Sequence, residues 1–123
     1  MVVEDDRDTR EVVKLILELE GIDVIEAADG IEALDRLHAL RVDEPGRPCA
    51  IVLDIMMPRC SGVEFRRRQL DDPLIADVPI IVLSAVADQM RVDDLHPFAR
   101  VPKPFDPDLL VRVVREACRQ AEG

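Results

Sequence analysis

Tryptophan and tyrosine are absent from this sequence of 123 residues, and phenylalanine occurs three times. Proteins that hold nucleic-acid bases on stacked rings need such side chains, so a base-stacking platform is all but excluded. Basic charge is scarce as well: 16 Lys and Arg face 26 Asp and Glu, a formal net charge of −10. Phosphate backbones are held by clustered Lys and Arg, which argues against nucleic acid as a direct partner. The run Arg66-Arg67-Arg68 is too short to alter this and reads as a solvated helix face. No apolar run approaches the roughly 18 residues of a membrane-spanning helix, so membrane insertion is not expected. The start, MVVEDDRD, lacks the basic and then apolar pattern of a signal peptide. Cys49, Cys60 and Cys118 are odd in number and fit no zinc spacing. They read as small apolar fillers, and the expected location is a reducing cytoplasm. His38 and His96 also lack metal-ligand spacing and are expected at the surface or at helix ends.

What the chain does contain is alternation. Short runs rich in Val and Ile separate longer segments with helical periodicity, and no internal repeat or linker interrupts them. Val2-Val3, residues 22–27, 50–53, 78–83 and 99–101 read as strands. Residues 8–20, 30–40, 62–70, 87–95 and 106–121 read as helices. The first helix is expected to turn Val12, Ile16 and Leu19 to one face and to stop at Gly21. The second should bury Ala33, Leu34 and Leu37. Asp106-Pro107 supplies an N-cap and a proline at the first helical position of the last helix. Pro45-Gly46 breaks a polar loop over residues 41–48. The continuous run Ala50-Ile51-Val52-Leu53 suits a strand covered on both faces. Strands alternating with helices give an α/β fold around a parallel sheet.

In open α/β sheets, ligands bind beyond the carboxyl ends of the strands. Glu4, Asp5 and Asp6 follow the first strand, Asp54 ends the third, Ser84 ends the fourth, and Lys103 follows the fifth. Clustered carboxylates repel one another unless a cation neutralises them, and an all-oxygen set favours a hard ion such as Mg²⁺. One of the carboxylates could attack phosphorus, giving an aspartyl phosphate. A cation and a lysine would then stabilise the phosphoryl oxygens. Any one of these residues alone reads as a helix cap or a loop residue; together, at the ends of four strands, they suggest a site.

These residues resemble the receiver domains of two-component response regulators, over nearly the whole chain. The resemblance rests on Val-Val-Glu4-Asp5-Asp6, Leu53-Asp54-Ile55-Met56-Met57-Pro58, Leu83-Ser84-Ala85 and Lys103-Pro104-Phe105. It implies a flavodoxin-like, doubly wound five-stranded parallel sheet of order 2-1-3-4-5 with five helices, formed by residues 1–123 as a single receiver domain. It implies that Asp54 is the phosphoacceptor, that Glu4, Asp5, Asp54 and the Met56 backbone carbonyl hold Mg²⁺, that Ser84 is the switch hydroxyl, and that Lys103 binds the phosphoryl group. Ala85 would leave room for that group, and Lys103–Pro104 would be a cis peptide. Asp6 falls at a more variable position and reads as an exposed acid or a helix cap more readily than as part of the site. The implied donor is a histidine kinase or histidine phosphotransfer protein, and the implied output is a switched surface for a downstream protein. Such a domain is a signalling switch that assists its own modification, rather than a turnover enzyme.

The sequence departs from the family pattern in places. Arg100 stands three positions before Lys103, where an aromatic switch residue is usual, and a buried arginine needs a partner. The stretch between Ser84 and Lys103 is short for the family. Phe98 is expected as core filler, and Ser61 replaces a frequent Asp as a tolerated loop change. Met56 and Val86 cannot orient a hydrolytic water, which implies slow self-dephosphorylation. A degenerate receiver acting as a phosphorylation-independent interaction module is the alternative. An aspartate-nucleophile phosphatase would want a second Asp at position 56, and a flavin carrier would want Trp or Tyr. No output domain follows within these residues, so the chain either acts alone by docking or belongs to a longer protein.

Overall fold

A computed structural model describes residues 1–40, 48–54, 62–84 and 95–122. In chain order the elements are β1 (Val2–Val3), α1 (Arg7–Leu19), β2 (Glu26–Ala27), α2 (Gly30–Ala39), β3 (Ile51–Asp54), α3 (Gly62–Leu70), β4 (Ile80–Ser84), β5 (Ala99–Pro102) and α4 (Pro107–Glu122). The strands form one sheet of order β2-β1-β3-β4-β5, parallel at every pairing. Four helices therefore stand among the described residues. The fifth expected helix, at 87–95, falls almost entirely outside them, as do most of the 41–48 loop, Cys60 and Ser61.

Alternation along the strands divides the core in two. Val3, Ile51, Leu53, Ile80 and Val82 pack with Ala33, Leu34 and Leu37 of α2 and Phe65 of α3. Val2, Val52, Ile81, Leu83 and Val101 face the other way, against Val13 and Leu17 of α1 and Leu110, Val113, Val114 and Ala117 of α4. Every residue of β3 and β4 is buried, as strands covered by helices on both faces must be. Each large aliphatic or aromatic side chain buried here contributes roughly 1.5–3 kcal/mol. Phe98 is half-buried against the second cluster, in keeping with its expected role as filler.

Helix ends follow local chemistry. Asp6 caps α1, accepting from the Asp8 backbone N–H at 3.3 Å and the Thr9 hydroxyl at 2.6 Å. Asp29 caps α2 by accepting from Glu32 N–H at 2.9 Å, and Glu32 reaches back to Ala28 N–H at 3.2 Å. Gly21, at φ +79°, ends α1 in the left-handed region that favours glycine. Asp106 and Pro107 open α4 as expected, with Asp106 accepting from Asp108 N–H at 2.9 Å.

Three expectations are corrected. The inward stripe of α1 is Val13 and Leu17, with Ile16 half-buried, whereas Val12 and Leu19 are exposed. Apolar residues at 12, 13, 15, 16, 17 and 19 offer two adjacent stripes. Packing on the sheet selects one and leaves the other in solvent. The second correction concerns the basic run: Arg67 and Arg68 are exposed, but Arg66 is buried and donates to Leu95 O at 3.0 Å, Gln69 Oε1 at 2.7 Å and His96 O at 3.2 Å. The third correction concerns the cysteines. Cys49 and Cys118 are not separate thiols but a disulfide, with Cα atoms 4.8 Å apart. Cys49 lies two residues before β3, and α4 lies across that face of the sheet, so residues 69 apart in sequence meet.

Candidate phosphoacceptor site

Parallel pairing brings the ends of β1, β3, β4 and β5 to one edge. Glu4 and Asp5 leave β1, and a hydrogen bond from Glu4 N–H to Ala27 O extends the β1–β2 ladder to the first acid. Asp54 is the last residue of β3, opposite Leu83 of β4. Ser84 ends β4 opposite Pro102, and its carbonyl accepts from Lys103 N–H at 2.9 Å. That bond holds the start of the Lys103-Pro104-Phe105 turn against β4. The Lys103–Pro104 peptide is cis, as the resemblance implied.

Carboxylate oxygens of Glu4, Asp5 and Asp54 lie within 4.8 Å of one another. Glu4 and Asp54 are buried, while Asp5 is exposed. Lys103 Nζ donates to Asp54 Oδ1 at 3.2 Å. Among the described residues, these three carboxylates gather around one ammonium, so the cluster is rich in negative charge when all are ionised. Glu4 carries the strain of this. Its carboxyl is pushed up from about 4.5 to about 8, first by burial and then by the neighbouring Asp54 charge; the Asp6 N–H and Lys103 oppose the shift without cancelling it. Glu4 Oε1 accepts from Asp6 N–H at 3.1 Å. Among the described residues, Glu4 Oε2 and Ser84 Oγ are buried with no hydrogen-bond partner. Unsatisfied buried polar atoms are costly and uncommon, and two of them at one strand edge point to a ligand that completes both. An acid-rich, all-oxygen donor set fits a hard divalent cation.

Of the residues named from sequence, Glu4, Asp5, Asp54 and Lys103 are brought together, and Ser84 lies at the same edge. Met56, Ala85 and Val86 lie outside the described residues. Asp6 serves as the α1 cap. His38 is exposed near the end of α2, 2.8 Å from Asp72, and His96 is exposed just before β5. Arg100 is exposed on β5, so it meets no burial cost. One supporting residue escaped sequence reasoning. Arg10 donates from Nη1 to Glu4 O at 2.9 Å and pairs with Glu26 at 3.4 Å, tying the acidic turn to β2. A lone arginine in an amphipathic helix carries no signal of that contact.

A parallel sheet of order 2-1-3-4-5, with an acidic cluster and a lysine at its carboxyl edge, is the flavodoxin-like, doubly wound α/β fold that the sequence leads one to expect. The chain belongs to the response regulator receiver domain family, whose family model matches residues 1–115. It is 34% identical over 123 residues to the phosphate regulon transcriptional regulatory protein PhoB of Pseudomonas aeruginosa, covering 98% of this chain and 51% of that protein. It is 37% identical over 127 residues to the response regulator MprA of Mycobacterium avium, covering 99% of this chain and 51% of that protein. The chain thus spans about half the length of these curated relatives. Among solved structures it resembles a putative response regulator from Chloroflexus aurantiacus (TM-score 0.83, 28% identity, 96% and 95% of the two chains). It also resembles a CheY-like receiver domain protein from Methanospirillum hungatei (TM-score 0.82, 28% identity, 99% and 94%).

Proposed function

We propose that residues 1–123 act as one receiver domain in which Asp54 accepts a phosphoryl group from a phosphohistidine. The donor is a histidine kinase or a histidine phosphotransfer protein, in the cytoplasm. The observation that carries this reading is the convergence of Glu4, Asp5 and Asp54 oxygens within 4.8 Å, with Lys103 on Asp54. Glu4, Asp5, Asp54 and the Met56 carbonyl would hold Mg²⁺, which supplies charge neutralisation for the acids and the phosphoryl oxygens. An Asp54 carboxylate oxygen attacks phosphorus in line; the P–N bond breaks, and the leaving imidazole takes a proton. Lys103 exchanges its contact with Asp54 for one with a phosphoryl oxygen. The buried Ser84 hydroxyl gains an acceptor in the same oxygens. The added charge of about −1.5 to −2 biases the β4 and β5 ends toward the arrangement that contacts it best, and this changes the surface offered to a downstream protein.

The outward stripe of α1 supports a protein donor. Val12, Leu15 and Leu19 are 50%, 57% and 77% exposed, on a helix that begins directly after the acidic turn. An apolar helix face beside the site suits docking of another helix. A phosphate-affinity gel tests the reading, with acetyl phosphate and Mg²⁺ beside Asp54→Ala and a chelator control. The expected result is a shifted band lost in both controls. No shift with acetyl phosphate or a phosphorylated kinase would leave a constitutive interaction module.

A further inference from the structure

The Cys49–Cys118 pair lies at the opposite end of β3 from Asp54 and has no part in the phosphoacceptor chemistry. Its Cα separation of 4.8 Å falls within the range of about 4.4–6.8 Å that a disulfide spans without backbone movement. Cys49 is exposed and Cys118 half-buried, so the bond sits at the surface rather than sealed in the core. Cys118 also forms part of the wall of a pocket of about 510 Å³, together with Arg112, Arg115 and Arg119 of α4. Arg115 donates to the Glu20 carbonyl at 3.0 Å and carboxylate at 3.3 Å, while Arg112 and Arg119 are exposed. The lining also includes Asp108, so three guanidiniums face two acids. In a chain of net charge −10, this is a local reversal of sign beside the Cys118 sulfur.

We propose that Cys49–Cys118 is a reversible thiol–disulfide exchange site whose reactant is a small thiol carrying carboxylates, drawn to the Cys118 sulfur by the arginine-lined pocket. The reactant's thiolate attacks the Cys118 sulfur; a mixed disulfide forms, the protein disulfide breaks, and Cys49 leaves as a thiolate that takes a proton. A second small thiolate attacks its counterpart in the mixed disulfide, releasing the Cys118 thiol and a small-molecule disulfide. Two small thiols are oxidised and the protein bond gains two electrons and two protons; an excess of the small-molecule disulfide runs the sequence backwards. Closed, the bond fastens the C-terminal half of α4 to the entry of β3 across a separation of 69 residues. Open, α4 is held by its apolar face on the sheet and by the contacts of Arg115 with Glu20.

The test uses the full chain, with glutathione as the anionic probe and cysteamine as a cationic comparator. Thiol trapping with peptide mapping follows Cys49 and Cys118 apart from Cys60. Opening under excess reduced glutathione, closing under oxidised glutathione, and a mixed disulfide mapped to Cys118 are expected. In the double variant Arg112→Ala, Arg119→Ala, the glutathione rate relative to cysteamine should fall by roughly three- to tenfold. Reduction should lower the thermal midpoint of the unsubstituted chain by on the order of 10 °C. Cys118→Ser should show one midpoint in either condition. A bond that resists glutathione until the protein is denatured, a mixed disulfide only on Cys49, or a rate ratio unchanged in the double variant would overturn the proposal.

Discussion

Replacing Glu4 with Gln removes one negative charge from the acidic edge while keeping the shape of the side chain. Glu4 is 2% exposed and faces Asp54, Asp5 and Lys103, with Arg10 bound to its backbone carbonyl. Folding raises its pKa from about 4.5 to about 8. A group raised in this way contributes fully below its unfolded value, and that contribution is lost as pH climbs through the folded value. Converted at 1.36 kcal/mol per pH unit, the shift costs the ion-free protein on the order of 3 kcal/mol at pH 7 and about 5 kcal/mol once Glu4 is fully ionised. Glu4→Gln should therefore match the unsubstituted chain near pH 4.5 and become the more stable of the two as pH rises to 8. Urea unfolding in a chelator, repeated across that pH range, measures the difference. Adding Mg²⁺ should narrow it, because a cation held by the acids stabilises the unsubstituted chain more. A difference below about 0.5 kcal/mol at pH 8 in chelator, within the range of an ordinary surface substitution, would refute the reasoning.

Other consequences can be checked separately. Phe65, fully buried between α3 and the sheet, should cost about 3–5 kcal/mol on replacement by Ala, measured by urea denaturation. Lys103→Ala should leave the circular dichroism spectrum unchanged and slow acetyl-phosphate labelling by ~10²-fold, since it removes the ammonium that donates to Asp54. Phosphorylated protein separated from its donor should lose the group slowly, because the side chains of Met56 and Val86 cannot orient water; a half-life of seconds on the same gel would contradict this.

The strand–helix alternation and the strand-end acids made the fold and most of the candidate site legible in the sequence, because both rest on local pattern and on a general rule for where α/β sheets bind ligands. Gly21 and Asp106-Pro107 marked helix ends through backbone chemistry that needs no tertiary context. Other features depend on what the chain meets after folding. The six apolar residues of α1 do not say which of two stripes packs inward. The meeting of Cys49 with Cys118 depends on how α4 crosses the sheet, and no spacing encodes it. The raised carboxyl of Glu4 needs both burial and Asp54, from two strands distant in sequence. Arg100 looked like a burial problem only by analogy with an inward aromatic; on β5 it points to solvent and poses none.

The central claim is that Asp54 itself carries the phosphoryl group. Labelling with a phosphorylated histidine kinase, then trapping the acyl phosphate by borohydride reduction and mapping the peptides, tests it most directly. One reduced residue, Asp54, is expected, with none in Asp54→Asn or in the presence of a chelator. Reduction at Glu4 or Asp5, or labelling that survives both controls, would contradict it.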